Sequence, residues 1–476
     1  MNKLTKIVAT IGPPTDSEEK IRELINAGVN VFRFNFKHGS VEWHSERIER
    51  VNKVAHEMGA AVGTLIDLQG PELRINMPYD SIDIEKGELL VFGEESFEKK
   101  EKGISVTHPD IIPHLKEGQK CLAEDGTFSF LVERKDGKTY LRCKTAGNLK
   151  QRKNFNIPGA EFPFPVLVER DFEGLELAVR HRIDYVALSF VRSANDLKVV
   201  REEMKKMDVH ALMMSKIENQ KAIDNLDEII ENSDAMMVAR GDLGVELPME
   251  QVPYYQKMII RKCSEKGIPV ITATQMLQSM TDNPVPYRAE VSDIANATYD
   301  LTDAVMLSGE TASGKYPLEA VTVMAKTASF NETKFLTDTR TRYDYRIEDV
   351  ESMICDAAYN LYLRLREMKK APKGFLVFTH SGRTARLISR YRPKIPVYAF
   401  TTEELFRDQL TLNFGVFPFL EQVTREGEVK KVDVASTLEY LKNKSYVEQG
   451  DSLIVLHGDV WAIEGGTSTI KVVTCK

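Results

Sequence analysis

The chain has 476 residues, 42% of them hydrophobic and 28% charged, with a formal net charge of −7. That length predicts about three domains rather than one core. The mild acidity, without a long Lys/Arg cluster, argues against nucleic-acid binding, and no apolar run approaches a membrane span. Gly12, Pro13 and Pro14 cut the N-terminal apolar run far short of a signal sequence. Cys121, Cys143, Cys263, Cys355 and Cys475 are widely spaced and form no metal-ligand pair. A reduced, cytoplasmic setting is expected.

Taken in order, Lys6 to Ile11 reads as a strand and Ser17 to Ala27 as a helix, capped by Asp16 or Ser17 and stopped by Gly28. Val31 to Phe36 alternates, with Arg33 and Asn35 on one face. A helix from Val41 to Met58 and a strand from Ala60 to Leu68, ending near Asp67, complete a parallel α/β unit. At Gly70-Pro71 the rhythm changes. From Arg74 to Lys153 short apolar stretches alternate with turns, the pattern of an inserted all-β domain. A helix from Val168 to Arg182 resumes the α/β alternation. Strands then follow at Tyr185 to Phe190, His210 to Glu218, Ala235 to Asp242, Pro269 to Met276 and Ala304 to Ser308. Eight strands with intervening helices predict a (β/α)₈ TIM barrel, with a doubly wound open sheet as the alternative. The polar stretch Thr337 to Asp349 marks a boundary before a C-terminal α/β domain, with a helix expected from Arg383 to Tyr391. The expected division is 1–72 and 155–340 for the barrel, 73–154 for the inserted β lid, and 345–476 for the C-terminal domain.

The segment from Met213 to Glu246 holds two apolar runs that each end abruptly in charge. Lys216 and Glu218 on one strand, and Arg240 and Asp242 on the next, would each share a face. Together they bring cations and carboxylates to one barrel mouth, which suits a divalent metal and a phosphate. Gly241 and Gly244 let backbone amides approach an anion. Surface ion pairs at strand ends are the competing reading. Around the remaining strand ends lie Arg33, Asn35, Asp67, Ser189, Thr274, Ser308 and Glu310.

The stretches TIGPPT, NVFRFNFKHG, DLQGPELR, LSFVR, MSKIEN, MMVARGDLGVELP, TATQMLQSM and MLSGETASGKYPLEAV resemble the pyruvate kinase family, in order and over nearly the whole chain. The resemblance implies phosphoryl transfer from phosphoenolpyruvate to ADP, giving pyruvate and ATP. Such transfer demands positioning and charge neutralisation. Glu218 and Asp242 would hold Mg²⁺ (or Mn²⁺), and Lys216 would stabilise the moving phosphoryl. Arg33 would fork onto the phosphate. The Gly241 and Asp242 amides, with the Thr274 hydroxyl, would take the carboxylate, beside Ser189. Thr274, Ser308 and Glu310 are candidates for relaying a proton to the enolate. The resemblance further implies a nucleotide site of Pro13, Asn35, His38, Arg74 and Lys153, and a lid residue at Asp125.

Departures from the family carry their own expectations. Many members hold K⁺ with an Asn, a Ser, an Asp and a Thr carbonyl, near a Glu. Asn35, Asp67 and Glu72 match, but Lys37 stands at the Ser position and Leu68 at the Thr position. Lys37 is expected to replace the ion, making K⁺ unnecessary; the rival is a Lys37 turned to solvent, leaving a K⁺ site one ligand short. Thr379, Ser381, Gly382, Arg383 and Thr384 match a loop that binds a phosphorylated effector in the family. His380 in place of Lys, with Asp459 and Glu464 in the late loop, speaks against a sugar bisphosphate; a monophosphate, a nucleotide or no effector stays open. A homotetramer is implied as well. Two other readings stand beside this one. Another Mg²⁺-enolate barrel enzyme has no need of the insert carrying Arg74 and Lys153. A catalytically silent effector-binding homologue would be expected to lose Lys216, Glu218, Asp242 or Thr274, and all are present.

Overall fold

The computed structural model describes residues 3–98, 101–160, 162, 164–334, 343, 345–420, 433–458 and 466–476. Strands β1 (Lys6–Thr10), β2 (Val31–Asn35), β3 (Gly63–Asp67), β4 (Tyr185–Leu188), β5 (Leu212–Ile217), β6 (Ala235–Ala239), β7 (Val270–Ala273) and β8 (Ala304–Leu307) close into a parallel barrel, with β8 pairing back onto β1. Closure overturns the open-sheet alternative. The strands are buried throughout because the barrel has two apolar layers. Val8, Leu65, Tyr185, Met214, Met237 and Met306 fill the interior, while Ile7, Phe32, Ile66, Val186 and Val238 face the surrounding helices. Leu412, from the C-terminal domain, joins the interior cluster.

Local signals at the helix ends act as the sequence predicts. Ser17 caps helix Glu18–Ala27 by accepting the Lys20 amide, and Gly28 ends it at φ 115°, a conformation that needs no side chain. All eight strands stop earlier than expected, three of them by two or three residues, at Leu188, Ala239 and Ala273. The chain bends immediately beyond them: Phe190 (φ 57°), Thr274 (φ 68°) and Gln275 (φ 56°) adopt left-handed backbone, and a helix, Arg240–Glu246, starts where β6 ends. Ser189, Asp242 and Thr274 therefore sit on turns or at a helix start, whereas Arg33, Asn35, Asp67 and Lys216 stay on strand.

Between β3 and β4 the chain builds a seven-stranded sheet, from Ile75–Asn76 to Phe155–Asn156, and a two-stranded ribbon, around Phe92, Phe130, Leu141 and Phe155. The C-terminal domain is a five-stranded sheet ordered Val416–Leu420, Val397–Thr401, Gly374–Phe378, Ser452–Gly458 and Thr467–Thr474, the last antiparallel. Its helix Arg383–Ser389 is shorter than predicted. Asp459 and Glu464 lie outside the described residues, as does most of the polar stretch from Thr337. Among the described residues no helix is long and apolar enough to cross a membrane, and all five cysteines are buried and unpaired.

Candidate active site

At the mouth, β2 and β3 pair Asn35 with Asp67, which sets Arg33 beside the Asp67 carboxylate. The Arg33 guanidinium grips one oxygen, Oδ2, through Nε at 2.8 Å and a terminal nitrogen at 2.7 Å, and donates to Thr10 Oγ1 at 2.9 Å. The Lys216 ammonium approaches the other oxygen at 3.2 Å, lies 2.8 Å from Glu218 Oε1, and donates to Ser189 Oγ at 2.8 Å. All these groups are buried. Burial pushes the Asp67 carboxyl up, but Lys216, Arg33 and Lys37 outweigh it and hold it at about 2. Burial works against the Lys216 charge too; Asp67, Glu218 and Asp242 reverse that and keep the ammonium protonated beyond its ordinary range.

The carboxylates fit a divalent cation. Glu218 is fully buried, and one of its oxygens is fixed by the Phe190 amide at 2.6 Å. Among the described residues its Oε1, like Asp67 Oδ1, faces the Lys216 ammonium but makes no aligned hydrogen bond. Burial raises the Glu218 carboxyl and the neighbouring Asp242 charge raises it further, a strain that a bound cation relieves. Among the described residues no cluster of three or more His, Cys, Asp or Glu is poised to hold a metal alone. Glu218 and Asp242 would thus share it with substrate oxygens and water.

Asp242 and Arg240 part company. Because β6 ends at Ala239, the two occupy the first turn of a helix and not one strand face. Arg240 turns away to Asp293 at 2.7 Å and donates to the carbonyls of Ala273 (3.1 Å) and Thr274 (2.6 Å). The expected convergence of Arg240 with Asp242 is therefore corrected: Arg240 secures the left-handed turn that presents Thr274. The Thr274 hydroxyl accepts the Gly241 amide at 2.8 Å, which brings two of the expected carboxylate-binding groups together. Glu310 is fully buried, and its oxygens accept the amides of Leu277 (3.1 Å) and Ser308 (2.8 Å). It ties the turn after β8 to the loop after β7.

On the neighbouring side, Lys37 points inward and pairs with Glu72 at 3.1 Å, its ammonium 5.1 Å from the centre of the Phe190 ring. Asn35 Oδ1 accepts the Lys37 amide at 3.4 Å, and the Leu68 carbonyl accepts Ser189 Oγ at 2.8 Å. Glu72 also binds Arg74 at 2.6 Å. Although burial raises the Glu72 carboxyl, Lys37 and Arg74 bring it below the usual range. Pro13 and His38 are exposed at the rim, and desolvation and Arg74 lower the His38 imidazole. Lys153 pairs with Glu124 at 3.0 Å, and Asp125 accepts from Asn154 at 2.6 Å, so both are engaged within the insert. A cavity of about 430 Å³, lined by Glu72, Phe190, Asn219, Asp242 and Glu246 among others, opens between insert and barrel, large enough for a small metabolite.

In the C-terminal loop, Thr379 Oγ1 accepts the Gly382 amide at 3.1 Å, and Gly382 adopts φ 81°. Arg383 is engaged by Asp349 at 2.6 Å and by Glu351, which also accepts Thr384 Oγ1 at 2.6 Å. The Ser381 carbonyl accepts from Arg386.

Sequence reasoning missed three contributors. Thr10 anchors Arg33, the Phe190 amide orients Glu218, and Asp171 is a buried carboxylate that accepts amides from the loop after β3. Asp171 has one sequence signal, an acid in the first turn of a helix, which reads only as a cap.

Comparisons with known proteins bear on the whole chain. Residues 2–321 match the model of the pyruvate kinase barrel domain, and residues 355–473 that of the pyruvate kinase alpha/beta domain. The chain is 38% identical over 478 residues to a pyruvate kinase of Geobacillus stearothermophilus, covering 99% of this chain and 80% of that protein. It is 39% identical to a pyruvate kinase of Sporosarcina psychrophila and to one of Staphylococcus aureus strain MRSA252, over 98% of this chain and 80% of each.

Proposed function

The chain belongs to the pyruvate kinase family and is a divalent-metal-dependent phosphotransferase that carries the phosphoryl group of phosphoenolpyruvate to ADP, and we propose that Lys216 is its central catalytic residue. The observation that carries this assignment is the buried Lys216 ammonium, held charged by Asp67 Oδ1 at 3.2 Å and Glu218 Oε1 at 2.8 Å and donating to Ser189 Oγ.

Glu218 and Asp242 would hold the metal, Mg²⁺ (or Mn²⁺), which would supply Lewis-acid neutralisation of the substrate oxygens. Arg33 orients the phosphate with its planar fork, already aligned by Asp67 and Thr10. Lys216 lies where charge spreads over the phosphoryl oxygens and offsets it in a site of low dielectric. The Gly241 and Asp242 amides and the Thr274 hydroxyl hold the carboxylate, so that the enolate left behind stays fixed for protonation. Thr274 and Ser308 carry that proton, with Glu310 holding the Ser308 turn in place. Pro13, Asn35, His38, Arg74 and Lys153 receive the nucleotide, and the insert, residues 73–154, closes over it as a lid that excludes water. Pyruvate formation from phosphoenolpyruvate and ADP, assayed with and without Mg²⁺, tests the reading; turnover that persists in a chelator would refute the metal's role.

Lys37 takes the place of a monovalent cation, which its inward ion pair with Glu72 supports. The enzyme accordingly works without K⁺, and Lys37→Ser makes turnover K⁺-dependent, because Glu72 and Asp67 remain to support an ion. Rates in tetramethylammonium buffer with and without K⁺ check this; a wild-type enzyme inactive until K⁺ is added would contradict it. The Thr379 to Thr384 loop takes an anionic monophosphate or nucleotide effector, with Arg383 exchanging Asp349 and Glu351 for the ligand. A cytoplasmic location and a homotetramer complete the reading; the exposed Val350 and Met353 on one helix and Met249 and Tyr254 on the barrel flank support association between copies.

A further inference from the structure

Asp171 lies outside the barrel mouth, in the first turn of helix Glu169–His181, and is fully buried. Its Oδ1 accepts the Gln69 amide at 2.8 Å and the Gly70 amide at 3.2 Å; its Oδ2 accepts the Val168 amide at 2.9 Å and lies 3.2 Å from the same Gly70 nitrogen. Gln69 and Gly70 are where the chain leaves the barrel for the insert. Val168 is where it re-enters a barrel helix. One buried carboxylate therefore fastens both legs of the insert to the barrel.

The fastened loop leads into the mouth in two directions. Backward, the Leu68 carbonyl accepts Ser189 Oγ at 2.8 Å, and that hydroxyl accepts the Lys216 ammonium at 2.8 Å. Forward, Glu72 pairs with Lys37 and Arg74. Gly70 stands between them at φ 66°, where an added Cβ would come within 2.9 Å of Ser189 Cβ. The loop is thus held from one side by Asp171 and seated on the other against the residue that binds Lys216.

We propose that Asp171 is a positioning residue for phosphoryl transfer: it fixes the loop from Leu68 to Glu72 and, through Ser189, the location of the Lys216 ammonium. This rests on the assignment of Lys216 to the transferring group. Asparagine cannot substitute, because whichever way its amide turns, an NH₂ meets a backbone N–H that the carboxylate accepts.

The test measures kcat, both KM values and Tm for Asp171→Asn, Gly70→Ala, Ser189→Ala, Lys216→Met and the Asp171→Asn/Ser189→Ala double variant. Asp171→Asn is expected to lower kcat about tenfold or more, with both KM values within about threefold of wild type. Gly70→Ala gives a similar loss, since it displaces the same loop without touching the helix cap. In the double variant the losses combine to less than their product, the mark of a shared path. A folded Asp171→Asn with wild-type kcat, whatever its Tm, overturns the proposal, as do losses that simply multiply. If Asp171→Asn fails to fold, Gly70→Ala decides: wild-type kcat overturns the proposal and a comparable loss supports it. Lys216→Met keeps the underlying reading separate. Wild-type turnover there refutes the assignment of Lys216, whereas an inactive Lys216→Met beside a fully active Asp171→Asn refutes only the positioning.

Discussion

The two ends of the barrel bury charge in opposite ways. On the floor, Asp303 accepts Arg392 at 2.6 Å, the Val270 amide at 3.0 Å and the Phe414 amide at 2.9 Å, while Glu332 accepts the amides of Leu4 and Thr5. Lys6 donates to the Val416 carbonyl and rests 4.5 Å over the Phe417 ring. These charges are satisfied largely by backbone, much of it from the C-terminal domain, so they join the two domains. At the mouth, Asp67 and Glu218 share the Lys216 ammonium, Arg33 holds Asp67, and among the described residues Asp67 Oδ1 and Glu218 Oε1 make ion pairs but no aligned hydrogen bond. A charge cluster completed by backbone joins domains; one held mainly by side-chain ion pairs leaves acceptor capacity open at the mouth.

The sharpest way to break this contrast is at Lys216. Lys216→Met is expected to lower kcat about a thousandfold or more, equivalent to roughly 4 kcal/mol of barrier, while the fold stays intact. More than about a tenth of wild-type turnover would remove Lys216 from the chemistry. Collapse of the fold would make the mouth a structural cluster like the floor.

The converse variant is Arg392→Met. Arg392 and Asp303 are each only 2% exposed at the side chain, and Arg392 also donates to the carbonyls of Leu301 and Ser389. Removing it strands a buried carboxylate, so stability should fall by about 3 kcal/mol or more, with kcat of the folded fraction little changed. Urea unfolding followed separately by barrel and C-terminal probes measures this. A variant with unaltered midpoints would show that the floor pair does not join the domains.

The mouth was more legible in the sequence than the floor. Lys216 and Glu218 betray themselves because charge at the end of a buried strand has no apolar explanation, and polar residues recur at seven of the eight strand ends. Arg240 misled, since its period-two partnership with Asp242 assumes strand where a helix has already begun. Asp171 stayed hidden because its partners, Gln69 and Gly70, are separated from it by the whole insert. The floor contacts are hidden for the same reason: Asp303 and Phe414, or Thr5 and Glu332, are far apart in sequence, and polar residues facing a second domain look like ordinary surface. In the loop from Thr379 to Thr384, the hydroxyls and Gly382 were legible, but the two carboxylates that occupy Arg383 come from a preceding helix and its cap.

The smallest expected effect refines the contrast, because one floor carboxyl also has an oxygen without a donor. Asp184 Oδ2 accepts the Thr64 amide at 2.7 Å and its hydroxyl at 2.9 Å, while Oδ1 is buried and unpartnered. Burial, reinforced by the nearby Asp408 charge, pushes the Asp184 carboxyl up to about 8. It therefore holds its proton to a higher pH than an ordinary carboxyl, which spares the floor an uncompensated charge. The folded state binds this proton more tightly than the unfolded chain, whose carboxyl has an ordinary pKa of about 3.9. Stability from this group is thus fully present below about pH 4 and is lost as pH rises through 8. Asp184→Asn mimics the protonated form: its carbonyl can accept from Thr64 while the amide replaces the unpartnered oxygen. The expected outcome is that Tm of the variant, relative to wild type, rises between pH 5.5 and pH 8.5. The same Tm difference at both pH values would mean that Asp184 is ionised throughout, and the floor would then hold an incomplete charge as the mouth does.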